Sequence, residues 1–193
     1  MRGLKTISLS QYSTTNLLDR RVLQTLREAI YNEIVSSAHG TVIRIDLTDI
    51  QWINSSGADE VIGAALRFIK ESPKDIYLYI ETSNNPYEHA YNLQKALQDS
   101  ELPIMGRLKQ EGAYEAMVIG SMNAYLSRVL EYVYSSNGKG VSSSGVSESL
   151  EMSKSMCSTS LSKLYDLRLI KRERANIGRG YEYRYFPLFI GST

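Results

Sequence analysis

Six basic side chains fall between positions 168 and 184 (Arg168, Lys171, Arg172, Arg174, Arg179 and Arg184), against two acids, Glu173 and Glu182. A cluster of that density suits contact with phosphate, which arginine meets through paired N–H donors. Just upstream, Lys154, Ser155, Ser158, Thr159, Ser162 and Lys163 stand at helical spacing, away from Cys157, Leu161 and Leu164. Small hydroxyls and lysines on a helix face can enter a DNA major groove and bond to phosphates and to either base type. The face lacks Arg, Asn and Gln, the side chains that make bidentate base contacts. Base readout is therefore expected to be modest and affinity to rest on phosphate contacts from the arginines. On charge alone, a solvated basic surface is an equally good reading.

A second constellation is Asn54, Ser55, Ser56, Asp59 and Glu60. Ser55 reads as a helix N-cap, with Asp59 and Glu60 complementing the helix dipole. A phosphate on Ser55 would also sit at that N-terminus and would repel an acidic partner. Nothing further is arranged for catalysis. There is no Walker loop, no Rossmann fingerprint and no His-Glu-x-x-His. His39 and His89 are far apart and Cys157 is the one cysteine, so neither a metal site nor a disulfide is expected. The expectation is a protein that is not an enzyme and carries no cofactor. His89, beside Glu88, is expected at the surface or half-buried. Cys157 should pack inward as a small apolar group. Tyr181, Tyr183 and Tyr185 share one strand face, either packing on the preceding helix or turning their hydroxyls to solvent or phosphate.

The elements that must hold these residues can be read from apolar spacing. Leu4–Leu9 suggests a short strand. A helix starts at Asp19 with Val22, Leu26, Ile30 and Ile34 on one face, and residues 41–47 alternate as a strand. A second helix follows Ser55 until Pro73 stops it, and residues 76–80 form a strand. A third helix begins at Pro86, and residues 116–119 form a last short strand. Strands separated by helices imply an α/β fold with a largely parallel or mixed sheet. After Asn123 the pattern changes to helices at 123–134, around Val146 and Leu150, and through Cys157–Leu164. Two alternating segments about Gly178-Arg179-Gly180 then read as a hairpin.

The chain has 193 residues, 42% hydrophobic and 22% charged, enough for one large domain or two small ones. Residues 1–122 hold 12 Lys and Arg against 15 Asp and Glu, a net of −3; residues 123–193 hold 10 against 6, a net of +4. No stretch approaches about 18 consecutive apolar residues. Met1-Arg2-Gly3-Leu4-Lys5 runs into polar residues where a signal peptide needs an apolar core. A soluble, cytoplasmic protein without membrane contact is expected.

Two resemblances sharpen these expectations. Residues 45–60, Ile-Asp-Leu-Thr-Asp-Ile-Gln-Trp-Ile-Asn-Ser-Ser-Gly-Ala-Asp-Glu, resemble the STAS domains of anti-sigma-factor antagonists and, more closely, a STAS-like family with a Ser-Ser-x-Ala-Asp-Glu run. The resemblance implies a STAS-like mixed sheet over residues 1–122. It also implies that Ser55 corresponds to the serine a partner kinase phosphorylates, although Asn54 replaces the family's Asp. Residues 141–188 resemble a winged helix-turn-helix of transcription regulators. Ser153 caps its third helix, residues 171–174 and 181–185 form the wing strands, and Glu151 and Arg168 stand where that family has glycine. The resemblance gives domains at 1–122 and 123–193. It implies a regulator that binds double-stranded DNA as a homodimer, with a partner or ligand on the STAS-like domain. The alternative is a phosphorylation-controlled partner switch with a kinase or ATPase partner, in which the winged helix makes protein contacts.

Overall fold

A β-branched, alternating run such as Val42-Ile43-Arg44-Ile45-Asp46 extends readily and puts Ile43 and Ile45 on one face. In the computed structural model, which describes residues 3–12, 15–98, 100–178 and 180–190, that run is the second strand of a five-stranded sheet. The chain divides into two units, Met1–Ser121 and Met122–Gly191.

The first unit runs β1 (Leu4–Ser8), a 3-10 turn, β2 (Asn16–Leu17), α1 (Arg20–Ser36), β3 (Val42–Asp46), β4 (Trp52–Ile53) and α2 (Ser55–Ala58). A π-helical turn (Asp59–Gly63), α3 (Ala64–Glu71), β5 (Tyr77–Thr82), α4 (Pro86–Leu97), β6 (Ile104–Gln110) and β7 (Ala113–Ile119) complete it. The strand order is β1-β3-β5-β6-β7; the first four are parallel and β7 runs antiparallel to β6. Each parallel crossover steps in the same direction, so the right-handed rule puts every connecting helix on one face of the sheet. Ile7, Ile43, Ile45, Leu78, Ile80, Ile104, Leu108 and Ile119 point to that face and form the core with the helices. The fold is mixed α/β, as the alternation of signals implies.

The apolar stripe of α1 differs from its expected composition by one position. Asp19 caps the helix by accepting from Arg21 N–H, and Leu23, Leu26, Ile30 and Ile34 are buried, whereas Val22 is exposed. The stripe takes steps of three, four and four residues, which tracks the 3.6-residue turn better than uniform steps of four. β6 and β7 join through Glu111 and Gly112, both at positive φ, the backbone a two-residue hairpin requires.

The second unit runs α5 (Ala124–Ser135), α6 (Ser143–Leu150), α7 (Lys154–Asp166), β8 (Ile170–Ile177) and β9 (Gly180–Pro187). Asn123, Ser142 and Ser153 cap the three helices through their side-chain oxygens. Val141 forms a bridge to Tyr185 alongside the hairpin. Leu126, Val129, Leu130, Val133, Val146, Cys157, Leu161 and Leu164 are buried with Tyr185 and Leu188. The hydroxyl of Tyr134 donates to the Leu169 carbonyl at 3.0 Å and accepts from Leu188 N–H at 3.4 Å, tying both ends of the hairpin to α5. Among the described residues no helix is long and apolar enough to cross a membrane.

Candidate functional site

In a β-hairpin, alternate residues face opposite sides, so the cations of residues 171–184 cannot all converge. The register pairs Arg172 with Tyr185, Arg174 with Tyr183 and Asn176 with Tyr181. Arg172, Arg174 and the three tyrosines therefore share one face. Lys171, Glu173, Glu182 and Arg184 share the other, where the charges cancel. Arg184 departs from its expected role: it pairs with Glu182 at 2.6 Å and donates to the Gly140 carbonyl at 3.3 Å. Arg179 lies outside the described residues.

On the cationic face the guanidinium groups are held by rings. Arg172 lies between Tyr165 of α7, at 4.0 Å, and Tyr183 of β9, at 4.3 Å. Arg174 lies over Tyr181 at 3.7 Å. Among the described residues neither arginine has a carboxylate partner. Stacking fixes the plane of a guanidinium, and Arg172 also donates a side-chain hydrogen bond to Tyr185. Tyr185 is buried, whereas Tyr181 and Tyr183 are exposed, so the tyrosine face is split between packing and presenting arginine.

Lys154, Ser155, Ser158, Thr159 and Lys163 of α7 are exposed and Ser162 is half-buried. Ser158, Ser162 and Tyr165 follow one another at helical spacing, so this hydroxyl stripe runs into the Arg172 stack. Ser155, Thr159 and Lys163 face differently. With Asn123, Tyr125 and Met156 they line a groove of about 320 Å³ between α5 and α7. Tyr125 and Met156 are exposed apolar side chains that hydroxyl and charge patterns do not flag.

At the start of α2 the cap is Asn54, not Ser55. Asn54 Oδ1 accepts from Gly57 N–H at 2.7 Å, and its Nδ2 donates to the Leu18 carbonyl at 3.0 Å. An amide performs both tasks; a carboxylate would cap but could not donate. Ser55 is the first helical residue and half-buried, and Ser56 is exposed. Gly57 is buried under the backbone of β2: a Cβ there would come 2.1 Å from the Leu17 carbonyl oxygen. The close approach of that strand leaves room only for glycine. Asp59 and Glu60 lie beyond the first turn and are committed to arginines from other parts of the unit. Asp59 pairs with Arg20 at 2.7 Å and Arg67 at 2.9 Å, and Glu60 pairs with Arg27. Trp52 of β4 and Leu18, just after β2, are about half exposed, and the Leu18 carbonyl meets Asn54 at this helix start. Spacing gave no signal for them, because a two-residue strand has no periodicity.

His89 is the clearest correction. It is 1% exposed; Nδ1 lies 3.0 Å from Thr82 Oγ1 and Nε2 lies 3.5 Å from the Gln51 carbonyl. The position is on the core side of α4, where an apolar residue would be read, and polarity alone suggested the surface. Burial lowers its pKa, partly opposed by the Gln51 carbonyl and by Glu88. The Cys157 thiol is fully buried and its pKa is raised by burial. No group of three or more metal-ligating side chains occurs among the described residues. Comparison with protein-family models and with curated proteins returns no match.

Proposed function

We propose that this chain is a DNA-binding transcription regulator of the cytoplasm, acting as a homodimer, with a winged-helix second unit and a STAS-like first unit that takes a partner or ligand. The observation that carries it is the Tyr165–Arg172–Tyr183 stack. It joins the arginine face of the hairpin to the hydroxyl stripe of α7, a continuous donor surface suited to a polyanion. The element order of the second unit, three helices followed by a hairpin, fits the same reading. The partner surface of the first unit is Trp52 and Leu18 beside Ser55 and Ser56, an exposed aromatic–aliphatic pair with a polar border.

The test is a gel-shift titration of salt against duplex DNA. The wild type should show a steep loss of affinity with salt. Arg172→Ala/Arg174→Ala should reduce the logarithmic slope by about two, near 0.9 for each lost phosphate contact. Absence of binding, or an unchanged slope, refutes the reading.

One observation favours the partner switch as a second reading: the groove between α5 and α7 is lined by the exposed apolar side chains Tyr125 and Met156. In that reading both units bind proteins, and Ser55→Glu abolishes a stable complex with a kinase or ATPase subunit. Retention of every partner by Ser55→Glu in a pull-down counts against it.

A further inference from the structure

A planar aromatic ring binds a second planar group only through surface that its own neighbours leave uncovered. On the hairpin, the register places Arg172, Arg174 and Asn176 of β8 on one face with Tyr185, Tyr183 and Tyr181 of β9. No acid stands at any of these positions. Tyr185 is buried, so packing accounts for it. Tyr181 and Tyr183 are 51% and 38% exposed, although an arginine already lies over each ring. Arg174 sits 3.7 Å over Tyr181, and about half of that residue still meets solvent. The two rings make a T-shaped contact, centroids 5.6 Å apart at 74°, which sets the angle of each.

Phosphate contact leaves that aromatic surface unused. The arginines answer to a nucleic-acid backbone, whereas a ring face matches the face of a base. In a duplex those base faces are hidden in the stack, and only an unpaired base offers one to a side chain. The groups that could address such a base also stand on the hairpin. α7 supplies lysines and hydroxyls but no Arg, Asn or Gln for base edges, whereas Asn176 is an exposed amide paired in register with Tyr181. Tyr91 of α4, with Lys95 Nζ 5.4 Å from its ring, is another exposed ring beside a cation. There, however, Glu88 lies three positions before Tyr91 on the same helix face and opposes a polyanion.

We propose that this face of the hairpin binds single-stranded DNA, with Tyr181 as the stacking platform for an unpaired base. Asn176 meets the edge of that base, Tyr183 braces the platform, and Arg172 and Arg174 take the neighbouring phosphates. The platform rests on the DNA reading of the same hairpin and narrows its ligand from a polyanion to a strand with its bases exposed. It favours a melted segment over an intact duplex, because a paired base must first leave its stack. Stacking of this kind is tolerant of sequence, since every base has a π-face. That fits a second unit whose α7 face lacks the side chains for bidentate base contacts.

The experiment is fluorescence anisotropy of the full chain with labelled strands of equal length: oligothymidylate, an abasic strand with the same phosphates, and oligouridylate. The wild type should bind oligothymidylate about fivefold or more tighter than the abasic strand. That ratio cancels the phosphate contacts and reports stacking alone. Tyr181→Leu should bring the ratio close to one. Tyr181→Phe keeps the ring and should hold the ratio at its wild-type value; circular dichroism verifies that both variants remain folded. A wild-type ratio near one, or a Tyr181→Leu ratio equal to wild type, overturns the proposal. Tighter binding of oligouridylate than of oligothymidylate also overturns it, since the strand would then be RNA. The two readings fail separately. Salt-sensitive binding of duplex DNA with a ratio near one refutes the base platform and leaves the DNA reading standing, whereas failure to bind duplex and single strands alike refutes both.

Discussion

Residue identity at two buried positions in the first unit has measurable consequences. His89 has a pKa lowered mainly by burial, so the native state resists the proton that the unfolded chain accepts below its ordinary value of 6.5. Protonation therefore favours unfolding: stability from this group is complete well above 6.5 and is lost as pH falls through 6.5 toward the lower native value. Urea denaturation between neutral and mildly acidic pH should show that decline in the wild type and a flatter profile in His89→Gln. Parallel profiles would exclude His89 as its source. Gly57 makes a steric prediction instead. Gly57→Ala drives a methyl into the Leu17 carbonyl, a rigid backbone group, and should cost about 1–3 kcal/mol in the same assay. A stability equal to wild type would mean that β2 moves freely away from α2. Neither property was legible in the sequence. A histidine on a helix and a glycine in a Ser-Ser-Gly run acquire meaning from what lies against them.

Elements were more legible than their faces. The caps at Asp19 and Ser153 and the hairpin about Gly178 follow from local chemistry, because a cap or a turn is satisfied within a few residues. Glu151 and Arg168, at φ of 53° and 62°, occupy left-handed positions where glycine costs least. Glu151 ends α6 with an exposed side chain, so Glu151→Gly should stabilise the second unit by up to about 1 kcal/mol. A lowered melting temperature would show that the glutamate contributes more than its backbone strain costs. The hairpin makes a sharper prediction. Lys171 and Arg184 lie on the charge-balanced face, so Lys171→Ala/Arg184→Ala should alter the DNA salt slope far less than Arg172→Ala/Arg174→Ala. Equal effects would mean that both faces meet the polyanion. Composition predicted a basic cluster; only the pairing register divided it.

For the molecule as a whole, the formal charge of +1 conceals a net of −3 over residues 1–122 and +4 over residues 123–193. A local patch governs adsorption to a charged surface more than the total does. The chain should therefore be retained on a cation exchanger at neutral pH, and Arg172→Ala/Arg174→Ala should elute at lower salt than Lys171→Ala/Arg184→Ala. Passage of the wild type without retention would show the charge to be evenly spread. The sequence by itself determined the alternation of strands and helices, the change of character after Asn123, the caps at Asp19 and Ser153 and the basic cluster, all of which arise from interactions a few residues long. Tertiary structure alone decided that Asn54 caps α2, that Asp59 and Glu60 answer to three arginines, that Arg172 stacks between two tyrosines, and that Arg44 and Arg107 meet on Glu81. The ion-pair and stacking partners in that set lie 7 to 39 positions apart. Charge and ring contacts depend on distance in space, which one-dimensional spacing does not carry until the sheet has set its register.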